Sequence, residues 1–565
     1  MADRVWLIRR LCLIGLGIVL LRLADLQLRR GFFHRHLAEQ NRLRLVPEPA
    51  PRGVILDREG RELAGNRMIF RIAAVPQELK DRQALFAKLA PLVQLAPVEL
   101  EKRFQQERNL PFLPAALTWS VPKSTALRVE EERLDLPGII VESVTARQYP
   151  MGAVASNLLG YLSQPSPEAL PALKSYGVQP RDLVGRAGLE RELDDALRGR
   201  PGGSLIEVDH RARQMRVIGH REPVPGKPVM LTIDAALQRL IEQSFGEQAG
   251  AAVVLDPWTG ELLAMVSSPG FDPGAFVTQD NAAIRRFLND PAAPLMNRAA
   301  VGVYAPGSIM KPLIALLGVQ HRVITPQTPV TCRGYITIGD RQFHCWNRDG
   351  HGEVDLRRAL MVSCNVYFME LGRRLGLERI RTGFAGIGFG KPTGWPMEER
   401  PGHLPFHRQL TEGEVAMLAI GQGEILMTPL QIAVYAAALA NRGKLVQPWL
   451  VARIGEHAMP PPRPTPLDWD PEAVRAVREG MLASVNGPEG TGIHAHSDAI
   501  RIAGKTGTAQ THLPGQTHGW FIGFCPEAQP VAAMAIVAEY GGSGGDVPAR
   551  IGKAVCEYLA AQHRS

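Results

Sequence analysis

Ser308 stands three residues ahead of Lys311 in the run Tyr304-Ala305-Pro306-Gly307-Ser308-Ile309-Met310-Lys311-Pro312, and two more short motifs follow, Ser363-Cys364-Asn365 and Lys505-Thr506-Gly507. Alone, S-x-x-K recurs by chance in long chains and reads as a capping serine beside a solvated lysine. The ordered trio is different. Together S-x-x-K, S-x-N and K-T-G supply a nucleophile, a base, a polar relay and a second lysine, the set needed for acyl transfer through a serine.

A serine hydroxyl is a weak nucleophile and needs a base beside it. Lys311 serves only when neutral, which requires burial, a nearby positive charge, or both. Lys505 could supply that charge, and a helix N-terminus at Ser308 would favour the developing oxyanion. Ser363 would relay a proton to the leaving group, while Asn365 would hold Lys311 and a substrate amide. The bland reading of these two is local hydrogen bonding within a helix. Residues 501–510 read as an edge strand in which Gly504 and Gly507 let another backbone come close. Such an edge can add an extended peptide as a further strand. Lys505, Thr506, Gly507 and Thr508 are then the substrate-binding edge, holding a terminal carboxylate, and the backbone N–H groups of Ser308 and Thr508 make an oxyanion hole.

The elements that must position these residues are legible as patterns. Pro306 and Gly307 break what precedes them, and the apolar residues from 309 to 319 recur at helical spacing, so Ser308 begins a helix. Pro312 fits there, because the N–H it lacks would have bonded the carbonyl of residue 308. Residues 359–368 place Ser363 and Asn365 inside an apolar helical run spanning 357–375. Further helices are expected at 312–320 and 428–440. Strands are expected at 249–255 and 262–267, joined by the turn Asp256 to Glu261, and at 520–524 and 531–539 beside the strand carrying Lys505. Helices interleaved with a mostly antiparallel sheet give an α+β fold.

The chain has 565 residues, 45% of them hydrophobic, too many for one ordinary domain. Sixty-four basic against 56 acidic residues leave a net charge of +8, with no long basic run interleaved with aromatics, so no nucleic-acid partner is expected. Nine basic residues fall within positions 1–50, against four acidic ones. They flank an uncharged stretch, 11–21, which reaches Leu28 if Arg22 and Asp25 are tolerated, close to the ~20 residues of a spanning helix. Arg4, Arg9 and Arg10 precede it and keep the N-terminus cytoplasmic. No small-x-small cleavage site follows, so the segment reads as an uncleaved anchor rather than a signal peptide. Arg22 and Asp25, three apart, can pair on one helix face.

After the anchor, 50–60 reads as a strand entering a hairpin. Residues 79–106 read as helix broken by Pro91 and Pro97, and 189–198 as a short helix ended by Gly199. The glycines near Gly185 and Gly188 lack the strand and lysine of a phosphate loop. A Gly/Pro-rich linker, 219–228, sets the main boundary. The expected division is a cytoplasmic tail at 1–10, a transmembrane anchor at 11–28, a membrane-proximal domain at 29–225 and a C-terminal domain at 226–565.

With these motifs the chain resembles the class B, monofunctional penicillin-binding proteins, and among them the elongation type. Beyond the trio, the resemblance rests on the anchor, Arg52-Gly53-Val54-Ile55-Leu56-Asp57-Arg58, Arg147-Gln148-Tyr149-Pro150, Gly188-Leu189-Glu190, Met265-Val266-Ser267-Ser268-Pro269, Cys345-Trp346 and Gly350-His351-Gly352. It implies a pedestal (dimerisation-like) domain followed by a penicillin-binding domain with an antiparallel sheet flanked by helices. It also implies a peptidoglycan D,D-transpeptidase, acylated by β-lactams, that joins stem peptides in the periplasm from a single-pass anchor in the cytoplasmic membrane. The partners it implies are a SEDS-type glycosyltransferase and an elongation scaffold protein. The third residue of Ser363-Cys364-Asn365 departs from the aspartate common in elongation-type relatives. Rival readings are a division-type transpeptidase, a D,D-carboxypeptidase, and a β-lactam sensor.

Cys332, Cys345, His351 and Cys364 form C-x12-C-x5-H-x12-C, soft ligands of the number and type of a closed tetrahedral zinc site. Some elongation-type relatives resemble this in carrying zinc here. A Cys332–Cys345 disulfide, or free thiols, are the alternatives.

Overall fold

Residues 250–255 and 532–538 are unbroken apolar runs, the mark of strands covered on both faces. The computed structural model describes residues 2–29, 43–108, 111, 113–168, 170–171, 182–209, 214–511 and 513–562; parts of the expected membrane-proximal domain, 30–42 and 172–181, lie outside these. The chain forms two units, each built from separate stretches. The larger is Arg52–Gly65, Arg147–Arg198 and Lys227–Ser565; the smaller is Met1–Pro51, Asn66–Ala146 and Gly199–Gly226.

In the larger unit the main elements, in chain order, are α1 Ala235–Phe245, β1 Gly250–Leu255, β2 Leu262–Ser268, α2 Lys311–Gln320, α3 Leu356–Met361, α4 Asn365–Leu375, α5 Glu412–Ala419, α6 Pro429–Ala440, α7 Pro471–Asn486, β3 Ala503–Gln510, β4 Thr517–Cys525, β5 Ala532–Ala538 and α8 Val547–Gln562. The five strands lie in the order β2-β1-β5-β4-β3, every neighbouring pair antiparallel. Val253, Ile522 and Ala535 face one core with residues of α2 and α6. Their neighbours Val254, Phe521 and Ile536 face a second core with residues of α1 and α8. This period-two division explains the absence of polar positions in the central strands.

Every residue of α6 is buried, as an all-apolar helix requires, and Thr428 with Gln431 closes its start in a capping box. A disulfide joins Cys525 at the end of β4 to Cys556 in α8, a pairing not expected from the sequence.

Four segments of the larger unit meet at a buried charge network. Arg52 Nε lies 2.6 Å from Glu190 Oε2, and its Nη2 lies 2.7 Å from Asp194 Oδ1. From the other side Arg147 Nε reaches Glu190 Oε1 at 2.7 Å, and its Nη1 donates to the Gly53 carbonyl at 2.6 Å. Tyr149 adds its hydroxyl to Glu190 at 3.2 Å. The glycine run that lacked phosphate-loop features therefore has a packing role: a Cβ on Gly185 would lie 1.8 Å from the Glu190 carbonyl oxygen.

Several local expectations shift. The expected strand at 50–60 is only Ile55–Leu56, paired with the start of Glu62–Ala74 across a turn in which Asp57 Oδ1 accepts from the N–H groups of Glu59 and Arg61. The expected helix at 189–198 is two, Gly188–Glu192 and Asp194–Arg198. In the smaller unit Pro91 does not break its helix, which runs Arg82–Val93 and meets the proline only near its end. Pro97 opens Pro97–Glu107 at the first helical position, where an N–H has no intrahelical partner. Leu89 and Phe104 of these helices pack with Ile72 in a core of their own. The smaller unit also holds the antiparallel strands Leu43–Glu48, Gly202–Val208 and Gln214–Arg221. At its start is the helix Ala2–Ala24, which overlaps an apolar stretch, Arg9–Arg29, of 21 residues and mean hydropathy 2.0 that is long enough to span a bilayer. Arg22 and Asp25 pair there at 3.0 Å.

Candidate active site

Ser308 sits in the 3-10 turn Gly307–Met310, which runs directly into α2 at Lys311. The N–H of Lys311 takes the Ser308 carbonyl, so Pro312 inside the helix leaves that acceptor satisfied. The turn is held from several sides. Gly307 has φ +60° and donates its N–H to the Gly421 carbonyl at 2.8 Å. Trp520 Nε1 of β4 donates to the Ala305 carbonyl at 3.0 Å. Tyr304 gives its hydroxyl to Glu539 at 2.7 Å, and Arg298 completes that contact at 3.1 Å.

Lys311 is fully buried. Its Nζ lies 2.8 Å from the Ser363 carbonyl oxygen, 3.1 Å from the Ser363 hydroxyl and 2.7 Å from Asn365 Oδ1. The uninterrupted helix expected across these residues is not what forms. α3 ends at Met361, Ser363 adopts φ +55°, and α4 begins at Asn365. The reason lies in the carbonyl of Ser363. In a continuous helix it would accept from the N–H of Tyr367. Here Tyr367 donates instead to Cys364 Sγ at 3.5 Å, and the freed carbonyl faces Lys311. A left-handed non-glycine residue costs on the order of 1–3 kcal/mol and persists only where its surroundings enforce it.

Lys505 is also fully buried, with Nζ 3.0 Å from the Thr506 carbonyl. β3 has β4 on one side only and is the sheet's edge, so its other side can accept a strand. Side chains alternate along it. Lys505 falls on the same face as Ala503 and Ala509, which join the core containing α2. Thr506 and the exposed Thr508 fall on the other. The Thr506 hydroxyl donates to Thr491 Oγ1 at 2.8 Å. A Cβ on Gly507 would stand 3.0 Å from the Pro306 carbonyl, so glycine there admits the turn carrying Ser308. At Gly504 the close neighbour is the Phe521 ring, at 2.5 Å.

Burial pushes Lys311 down to about 8, against the opposing pull of the Cys364 and Cys345 sulfurs. Burial also pushes Lys505 well below the usual lysine range, and the Lys311 charge adds to that push. Repulsion between the two ammonium charges is mutual, so each lysine favours the neutral form of the other. A neutral Lys311 donates two hydrogens and keeps a lone pair, so it can accept a proton.

Cys332, Cys345, His351 and Cys364 converge, with their ligand atoms all within 4.8 Å of one another. His351 Nδ1 lies 3.6 Å from both Cys332 Sγ and Cys345 Sγ. No disulfide joins Cys332 to Cys345. The N–H of Asn365 donates to Cys345 Sγ at 3.3 Å. The hydrogen bond between Cys345 and Cys364 is the first cause pushing the Cys345 thiol below the usual thiol range. The same bond raises Cys364. Ligands around a zinc ion stand roughly 3.5–3.8 Å apart, so the donor set and spacing fit that metal after slight contraction. One feature is less suited: His351 Nε2 is buried without a partner among the described residues, where a ligating histidine ordinarily donates its second N–H.

The sequence reading did not single out Gly421, Gln422, Thr491, Tyr304 or Glu539. Only Gly421-Gln422-Gly423, a glycine pair flanking one polar residue between helical runs, carried a local signal.

Two protein families match this chain. The family described as Penicillin binding protein transpeptidase domain matches residues 250–557, and that described as Penicillin-binding Protein dimerisation domain matches residues 47–231. The Peptidoglycan D,D-transpeptidase MrdA of Haemophilus influenzae is 31% identical, covering 99% of this chain and 93% of that protein. Among solved structures, the complex between penicillin-binding protein PBP2 and MreC from Helicobacter pylori is similar with a TM-score of 0.80 and 27% identity, covering 93% of this chain and 99% of that one. A structure described as showing structural coordination of polymerization and crosslinking by a peptidoglycan synthase complex is similar with a TM-score of 0.73 and 29% identity, covering 99% and 98%.

Proposed function

The chain belongs to the penicillin-binding protein transpeptidase family, and from that premise we propose how its site works. It is a peptidoglycan D,D-transpeptidase of the elongation type, an acyltransferase acting through a serine. Ser308 Oγ attacks the penultimate D-Ala carbonyl of a stem peptide, forming an ester as the amide bond to the terminal D-Ala breaks. The serine proton passes to Lys311 and, by way of Ser363, to the departing amine. An amine of a second stem then attacks the ester, giving up its proton along the same route and returning Ser308 as the alcohol.

The observation that carries this reading is the placement of one buried lysine nitrogen, Lys311 Nζ, within 3.1 Å of both Ser363 and Asn365. Asn365 holds Lys311 from one side through its oxygen and leaves its NH2 for a substrate amide. The stem peptide lies along the open edge of β3, with its terminal carboxylate at Thr506 and Thr508; Lys505, expected to join them, stands buried on the strand's opposite face. The backbone N–H groups of Ser308 and Thr508 receive the oxyanion. Labelled penicillin tests the core of this: wild type is labelled and Ser308→Ala is not, and equal labelling of both would sink it. A turnover assay with and without an amine acceptor separates transpeptidation from carboxypeptidase activity.

Cys332, Cys345, His351 and Cys364 would hold a structural zinc ion. When bound it would supply no chemistry to the acyl transfer, serving only to crosslink its ligands. Cys364 adjoins Ser363 and Asn365, so these four residues brace the loop that carries the relay. The apolar helix at the N-terminus anchors the chain in the cytoplasmic membrane, with the transpeptidase in the periplasm. The relatives in complex with MreC and in a peptidoglycan synthase support two partners: an elongation scaffold protein and a SEDS-type glycosyltransferase.

A further inference from the structure

Three backbones meet beside Ser308 more closely than any side chain would allow. The Gly307 N–H donates to the Gly421 carbonyl at 2.8 Å, and a Cβ on Gly421 would lie 2.1 Å from the Gly307 oxygen. On the other flank, a Cβ on Gly307 would lie 2.8 Å from the carbonyl oxygen of Thr508 in β3. That oxygen accepts a hydrogen bond from Gln422 Nε2 at 3.2 Å. Consecutive residues, Gly421 and Gln422, therefore grip the nucleophile's turn with a carbonyl and the edge strand with an amide.

The direction of the Thr508 carbonyl is informative. It faces Gly307 and Gln422, on the side of β3 away from β4. In an antiparallel strand the N–H and C=O of one residue point to the same side. The Thr508 N–H therefore faces the nucleophile's turn as well. Whatever fixes the carbonyl of Thr508 also fixes the peptide plane beside that N–H.

Gln422 is well placed to do so. It follows α5, whose start is closed by a capping box at Thr411 and Glu414. The chain turns off that helix through bonds from Gly421 N to the Leu418 carbonyl at 2.9 Å and from Gln422 N to the Met417 carbonyl at 3.0 Å. α5 in turn packs on α4, the helix opened by Asn365, so tightly that a Cβ on Gly372 would lie 2.4 Å from Ala419 Cβ. Gln422 thus stands on an element seated against the relay helix and reaches the edge strand.

The geometry points to Gln422 as a positioning residue of the transpeptidase site, one that sets the spacing between the two oxyanion donors by tying the Thr508 carbonyl to the turn carrying Ser308. This rests on the reading that the Ser308 and Thr508 N–H groups receive the oxyanion. Gln422 acts through the Thr508 carbonyl that its side chain holds.

The test uses full-length protein in detergent and a fluorescent penicillin, with wild type, Gln422→Ala, Gln422→Glu, Gln422→Asn and Ser308→Ala side by side. Stopped-flow mixing resolves the initial dissociation constant from the limiting acylation rate, and the lifetime of the acyl-enzyme is followed on the same samples. Deleting an oxyanion donor outright costs ~10²–10³-fold, so a displaced donor should slow acylation by roughly tenfold in Gln422→Ala. Gln422→Glu, which loses the amide donor and sets a carboxylate against the carbonyl, should lose more, and Gln422→Asn, which keeps the amide, should lose less. The dissociation constant should stay within about threefold and the acyl-enzyme should live longer, because deacylation uses the same donors. Thermal unfolding midpoints should match wild type.

A wild-type limiting rate in Gln422→Glu overturns the proposal. So does a loss confined to the dissociation constant, or a rate loss matched by a falling unfolding midpoint. Labelling of Ser308→Ala equal to that of wild type would instead remove the nucleophile assignment, whatever the Gln422 variants do.

Discussion

The main-chain oxygen of Ser363 lies 2.8 Å from Lys311 Nζ, and the hydroxyl of the same residue lies 3.1 Å from it. Ser363 offers both acceptors at once because it occupies the left-handed region, at φ +55°, between two helices. The backbone strain and the catalytic contact therefore share one cause.

This makes stability and activity separable at one position. Ser363→Gly relaxes the strain and removes the hydroxyl, while Ser363→Ala keeps the strain and removes the same hydroxyl. Both should acylate roughly 10²–10⁴-fold more slowly than wild type, as expected for loss of a proton relay. Ser363→Gly should nevertheless be more stable than Ser363→Ala by about 1 kcal/mol, since glycine enters this region at no steric cost. Penicillin acylation rates and denaturant unfolding of the two variants check both statements.

The lowered Lys311 gives a pH dependence of defined sign. Below about 8 the protonated form grows, so acylation should fall nearly tenfold per pH unit on the acid side and level off above it. The groups that bear on this titration are Lys505, Cys345 and Cys364. For stability the folded pKa lies below the roughly 10.4 of an exposed lysine. Between about 8 and that value the unfolded chain binds a proton that the folded chain lacks, so this group's contribution makes the fold more stable as pH rises through the window. A flat acylation profile from pH 6 to pH 9 would count against Lys311 as the base.

Much of this site is legible along the chain because its parts are local. Ser308 and Lys311 lie one turn apart, and the glycines around Lys505 mark an edge strand that the sheet order bears out. The break at Ser363 is not legible, because the apolar periodicity of 359–368 runs straight through it. Only the Lys311 ammonium, brought from another helix, makes the interrupted form worthwhile. Likewise Cys525 and Cys556 pair because β4 and α8 pack together, which spacing alone does not reveal. Gln422 is a surface-like residue in a turn, and its contact with Thr508 exists only once two segments 86 residues apart are folded together. Arg52, Arg147 and Glu190 are visible as motif residues, but their joint purpose is tertiary.

That joint purpose yields a stability prediction. Glu190 is fully buried, accepts from Arg52 and Arg147 on its two oxygens, and receives the Tyr149 hydroxyl. Glu190→Gln would leave two buried guanidinium groups facing a neutral amide that can accept from only one of them well. Removing one partner of a buried ion pair costs about 3–5 kcal/mol, a large fraction of a domain's stability. Thermal unfolding should show a large fall in midpoint for Glu190→Gln. A midpoint within about 2 °C of wild type would mean that the arginines find other partners, since even 1 kcal/mol moves the midpoint of a large domain by about 2–4 °C.

The cysteine cluster leads to a prediction about metal removal. Cys345 accepts the N–H of Asn365, and Cys364 precedes it, so a metal bridging these sulfurs would act on the loop that holds Lys311. Purified protein should carry one zinc ion per chain by elemental analysis, and Cys332→Ser should carry much less. A strong chelator should release the ion, lower the unfolding midpoint and slow penicillin acylation through the loosened loop, with zinc restoring both. Cys332 is the better position to alter, because it ends the strand Val330–Cys332, away in sequence from the relay loop, and its loss tests the ligand set rather than the loop itself. Protein purified without zinc, with Cys332, Cys345 and Cys364 all titrating as thiols and acylation at full rate, would show that the four side chains pack together for another reason.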